Sequence, residues 1–134
     1  MKITWKHVLI GVPFLIIVFY ALTYIPQKLI QIDSSEVSRI TIFNGNSGQQ
    51  IDIRDRADID HIINDLNRVT FRKGKLSIFY MGYSFRTTIY NTEGQQVMKF
   101  IMNSEDTIRY RGFFHTATGN ERMDYNYIKA LFEK

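Results

Sequence analysis

VSRITIFNGNSGQQIDIRDRADIDHIINDLNR, residues 37–68, holds three elements in immediate succession. Residues 37–43 alternate, with Val37, Thr41 and Phe43 on one side and Ile40 and Ile42 on the other, the two-residue period of a strand. Residues 44–48 (NGNSG) are dense in turn formers, and 50–54 resume with Ile51 and Ile53 on one face, so the pair reads as a β-hairpin. Asp55 stands where a side chain can accept the first free amides of a helix, with Asp58 three residues on in a capping-box-like position. From Arg56 to Arg68 the apolar residues Ile59, Ile62, Ile63 and Leu66 fall at i, i+3, i+4 and i+7, which is one buried stripe. Asp58, Asp60 and Asp65 with Arg56 and Arg68 occupy the other side, the acids toward the start, where the helix dipole favours them. A hairpin leading into an amphipathic helix puts the domain in the α+β class.

Downstream, residues 69–71 begin a second half that the basic run Arg72-Lys73-Gly74-Lys75 interrupts. Residues 76–81 and 83–90 are strand-like around Gly82, which reads as a bulge or bend. Asn91-Thr92-Glu93-Gly94 is a tight turn, strands are expected at 96–102 and 107–114, and 116–120 is a loop. Asp124 can cap a last helix running to Lys134, with Tyr127, Ile128, Leu131 and Phe132 as its apolar stripe. The expected order is β-β-α-β-β-β-β-α, an antiparallel sheet with two helices on one face, spanning residues 37–134.

Upstream lies Val8–Ile25 (VLIGVPFLIIVFYALTYI), which contains no charged residue. As a helix it covers roughly 27 Å, close to the ~30 Å of a bilayer's hydrocarbon core. Trp5 before it and Tyr20 and Tyr24 late in it are rings of the kind that settle at headgroup level. Its Val, Leu, Ile and Phe side chains give an insertion free energy of about −4 to −7 kcal/mol, and no charge opposes it. A cleaved signal peptide would have a shorter apolar core and an A-x-A-like site, and with no cysteine there is no lipid attachment after cleavage. A buried core helix is the third reading, and it would leave Lys2, Lys6 and His7 abruptly beside the apolar run. Residues 1–26 are therefore read as a cytoplasmic flank and an uncleaved anchor, ended by Pro26, and 27–36 as a short linker. Lys2 and Lys6 before the run, against Lys28 with Asp33 and Glu36 after it, place the N-terminus in the cytoplasm and the C-terminal domain outside.

Beyond the anchor about 108 residues remain, enough for one core. A domain without cysteine has no disulfides and relies on packing. The net charge of +4 is mild, and no basic run of the density found in nucleic-acid tails occurs, so no nucleic-acid partner is expected. Nucleophilic catalysis needs a base near a hydroxyl or thiol. His61 falls on the polar side of its helix, and only His115, ending an aromatic strand beside Thr116, is a candidate. Asp52, Asp55, Asp58 and Asp60 lack the spacing of a calcium loop and are explained by capping. There is no GxGxxG, GxxxxGK[ST] or HExxH, so neither metal nor cofactor is expected.

The expected strands carry one further pattern. With Phe85 and Ile89 facing the core, Arg86, Thr88 and Tyr90 face outward. With Ile108 and Tyr110 facing the core, Arg109 and Arg111 do the same, and Lys99 joins them from the strand between. The uncovered sheet face would then be cationic, suited to an anionic envelope polymer, lipid headgroups or an acidic membrane-protein surface; its ordinary reading is the solvated face of a one-sided sheet, with the arginines paired to Asp or Glu. Arg68, Arg72, Lys73 and Lys75 form a second basic spot, whose ordinary reading is a solvated turn.

At VSRITIFNGN (37–46), followed by IDIRD (51–55) and the D-I-x-x-I-I-x-x-L helix (58–66), the chain resembles small single-pass, membrane-anchored hypothetical proteins of Gram-positive bacteria. The likeness covers about residues 1–70 and implies an extracytoplasmic domain; it carries over no functional residue. The expected function is a non-enzymatic binding or accessory module at the bilayer, contacting an envelope component or a membrane protein. The alternatives are an envelope enzyme or enzyme inhibitor with a site near His115, and a regulatory or self-immunity membrane protein.

Overall fold

The computed structural model describes residues 4–82 and 84–134. Lys2 of the expected flank and Tyr83, the expected first residue of a strand, lie outside the described residues. Helix α1 (Trp5–Leu22) is long and apolar enough to cross a membrane; it buries none of its residues against the domain and continues through Pro13. It stops at Leu22, before Pro26, with Thr23 as its C-cap.

The rest is the expected α+β layout, with one strand more. Strands β1 (Val37–Asn44), β2 (Gln50–Ile53), β3 (Phe71–Leu76), β4 (Phe85–Asn91), β5 (Gln96–Met102), β6 (Thr107–Tyr110) and β7 (Phe113–Ala117) form one antiparallel sheet in the order β2-β1-β4-β5-β6-β7-β3. Helices α2 (Arg56–Arg68) and α3 (Tyr125–Leu131) cover one face. Asp55 caps α2 by accepting from the Asp58 amide, and Ile59, Ile62, Ile63 and Leu66 are its buried stripe. Asp124 caps α3 in the same way through the Tyr127 amide. The core-facing side chains pair across strands: Ile40 with Ile89, Ile42 with Thr87, Phe85 with Met102, Ile108 with His115.

Four local expectations need correction. The register slips between Val37 and Arg39, so Val37 joins Ile40 and Ile42 in the core instead of facing out with Thr41. β3 runs through the basic stretch as an edge strand, with Lys73 Nζ packed 3.9 Å from the Phe113 ring centre and Lys75 donating to the Tyr80 hydroxyl at 2.7 Å. Residues 77–82 are a loop, although their composition favours a strand. The expected strand 107–114 is a hairpin, since Arg111 (φ 49°) and Gly112 (φ 82°) turn the chain as both central residues of a two-residue connection.

The residues between α1 and β1 are not a free spacer. Gln27 pairs with Phe71 through two backbone hydrogen bonds of 2.9 and 2.8 Å, lengthening the sheet beyond β3. Ile30 is fully buried, and Asn67 of α2 both donates to and accepts from the backbone of Ile32.

Candidate functional site

The face of the sheet away from α2 and α3 carries the expected cations on β1, β4 and β5. Alternation puts Arg39, Thr41 and Phe43 beside Tyr90, Thr88 and Arg86, with Lys99 opposite Thr88 on the next strand. Two of these cross-strand pairs are cation–π contacts: the Arg39 guanidinium lies 4.0 Å from the Tyr90 ring centre, and that of Arg86 5.0 Å from Phe43. A ring beneath a guanidinium restricts where the cation can go, and the Arg39 group, the nearer of the two, is the one most closely held. Lys99 is exposed, and Asp52 on β2, which accepts from Thr41 at 2.9 Å, is the acid bordering the group. Neither Arg39 nor Lys99 has a carboxylate partner among the described residues. Arg39 was absent from the expected set, yet its parity with Thr41 and Phe43 already put it on this face.

Arg109 does not belong to an open surface. It points to the outer side but is only 7% exposed, because the loop 77–82 crosses over it. Its Nη1 donates to the Tyr80 carbonyl at 2.7 Å, its Nη2 to the Gly82 carbonyl and its Nε to Asn103 Oδ1 at 3.2 Å. It holds the loop down. Arg111 is not on a strand face either; it sits exposed at the tip of the β6–β7 hairpin, since the chain reverses there. Of the five expected residues, Arg86, Tyr90 and Lys99 come together, and Arg109 and Arg111 leave the group.

His115 lies inward on β7, mostly buried, and Nε2 is 3.4 Å from the Tyr110 carbonyl oxygen. Burial holds its imidazole below the ordinary 6.5, against a smaller opposing effect of the Tyr110 carbonyl and with added repulsion from Lys73. A hollow of about 250 Å³ opens beside it, lined by Thr23, Gln27, Leu29, Lys73, Tyr110, Arg111 and Phe113. The lining contains cations and no carboxylate.

An open cleft of about 510 Å³ lies where α2 meets α3 and is lined by His61, Asn64, Asp65, Arg68, Arg122 and Asp124. His61, Asp65, Arg68 and Asp124 bond one another. His61 Nε2 is 3.1 Å from Asp124 Oδ2 while its ring stacks on Tyr127 at 3.8 Å, and Asp65 accepts from the Asp124 amide at 2.7 Å. Arg68 bridges Asp65 and Glu121. Tyr127 donates to Asp58, which pushes its hydroxyl up to about 12. This network clamps α3 onto α2 and presents no serine, threonine or cysteine to the imidazole. Among the described residues no group of three His, Asp or Glu side chains is placed to hold a metal.

Compared with protein-family models, curated proteins and solved structures, the chain matches none.

Proposed function

We propose that the protein is a single-pass, membrane-anchored, non-enzymatic binding module whose domain lies outside the cytoplasm and contacts an anionic envelope component or the acidic surface of a membrane protein. The observation that carries this reading is the sheet face of β1, β4 and β5. The helices leave it open, and it sets Arg39, Arg86 and Lys99 among Tyr90, Thr41 and Thr88 with two guanidinium groups prearranged on rings. Prearrangement lowers the entropy cost of binding an anion. The length and apolarity of α1 support the anchor, and Lys6 before it supports a cytoplasmic N-terminus. A catalytic role near His115 has less support, because its hollow holds no acid to orient the imidazole.

The test is protease treatment of intact cells carrying a C-terminal tag, followed by crosslinking. The tag is expected to be lost from intact cells, and a crosslinked species present in the native protein is expected to vanish on combining Arg39→Gln, Arg86→Gln and Lys99→Gln. A tag protected until lysis refutes the external placement; crosslinking unchanged in the triple variant refutes the binding face.

A further inference from the structure

The loop between β3 and β4 is apolar and points into solvent. Leu76 is 51% exposed, Ile78 64%, Phe79 85% and Met81 90%. Single exposed apolar residues are ordinary, but four within six positions make a patch that asks for a cover. The loop is not loose: Arg109 grips two of its carbonyls, the Ser77 amide donates to Gly112, and Tyr80 packs edge-on against Phe114 at 4.9 Å.

Its position identifies the cover. Phe71 pairs with Gln27, and two residues on, Lys73 donates to Thr23 Oγ1 at 3.3 Å and lies 4.9 and 5.0 Å from the rings of Tyr20 and Tyr24. β3 and the chain traced back into α1 therefore leave their junction in the same direction. Leu76 lies roughly 10 Å further along β3, a rise that α1 makes in about seven residues. The first part of the loop is thus carried to the end of the sheet toward which α1 projects, before the chain crosses to the start of β4, and α1 buries none of its own residues against the domain. Beside the loop stand Lys75, which donates to the Tyr80 hydroxyl at 2.7 Å, and Arg111, which lines a hollow with Ser77 and Ile78 on a backbone with φ 49°. Apolar side chains at a tip with cations around them match a bilayer interface, where the chains enter the acyl boundary and the cations meet phosphates.

From this we infer that the first part of the loop 77–82, through Ile78 and Phe79, is a second membrane contact that dips into the same bilayer as α1. The inference rests on the reading of α1 as a membrane anchor. The experiment keeps the two separate. The full chain is reconstituted into vesicles of brominated phosphatidylcholine with phosphatidylglycerol, and tryptophan emission is read. Trp5, the only tryptophan, reports on α1; Ile78→Trp and Phe79→Trp, each in a Trp5→Phe background, report on the loop. Both loop sites are exposed enough to accept an indole without repacking. Asn46→Trp, in the β1–β2 turn at the opposite end of the sheet, is the reference. The expected result is quenching and a blue shift at position 78 or 79 comparable to Trp5, with position 46 unquenched. Quenching of Trp5 with none at 78 and 79, or equal quenching at 46, overturns the loop contact and leaves the anchor standing. No quenching at any position overturns both.

Discussion

Replacing Arg109 with methionine keeps most of the side-chain length and removes the fork that fastens the loop 77–82. Hydrogen bonds from a charged donor contribute about 1.5–3 kcal/mol each. Arg109 makes two to loop carbonyls at 7% exposure, but those carbonyls reach water once the loop lifts. The loop's opening free energy should therefore fall by about 2–4 kcal/mol. At about 1.4 kcal/mol per factor of ten, the amides of Ser77 and Tyr80 should exchange roughly 30-fold faster or more. These amides donate to Gly112 at 2.8 Å and Ser77 at 3.0 Å, so both are protected when the loop is closed. The assay is hydrogen–deuterium exchange by mass spectrometry on the full chain in detergent, comparing the peptide over 76–82 with that over β4. Arg109→Lys keeps the charge without the fork and should fall between. Unchanged exchange at 77–82 in Arg109→Met, or an equal rise in β4 and the loop, would refute the pinning role.

Other outcomes follow from single residues. Thr87 Oγ1 is buried with no hydrogen-bond partner among the described residues, so Thr87→Val should raise stability by about 1 kcal/mol, or roughly 3 °C in Tm, by calorimetry. Arg111→Asn should stabilise by about 0.5–1 kcal/mol in urea unfolding, because Asn accepts positive φ more readily. Asp55→Ala removes the cap of α2 and should cost about 1 kcal/mol in the same assay. His115 is held below its ordinary 6.5 in the folded state, so the unfolded chain binds its proton first on acidification. Its contribution is present in full above 6.5 and is lost as pH falls below that value; Lys73, which repels the imidazolium, enlarges the loss, and Arg111 lines the same hollow. His115→Gln should flatten the stability profile below 6.5; an unchanged slope refutes the assignment.

Much of this fold was legible because its periodicities are local. The stripe Ile59, Ile62, Ile63 and Leu66 and the capping aspartates at 55 and 124 needed no tertiary knowledge. The outward parity of Arg86, Tyr90 and Lys99 followed from alternation alone. What failed depended on long-range placement. The run LSIFYM has strand composition, but the chain must travel from the end of β3 to the start of β4 at the opposite end of the sheet, and this run makes the crossing. Arg111-Gly112 lacks the usual Asn-Gly or Asp-Gly of such a turn, so the strand was read through it. Arg109 kept its predicted side and lost its exposure, because alternation specifies a face and says nothing of a loop lying across it.

The pairing of Gln27 with Phe71 and the burial of Ile30 leave only residues 23–26 between α1 and the sheet. A joint that short is a tether of four residues, so the domain stays within a few residues' length of the end of α1. If α1 spans a bilayer, the domain's reach is then limited to its own height. It would meet partners that lie in or close to the membrane plane, in a search over two dimensions. A version made soluble by cutting after Ile32 would lose Ile30 from the core and expose the β3 edge that Gln27 covers.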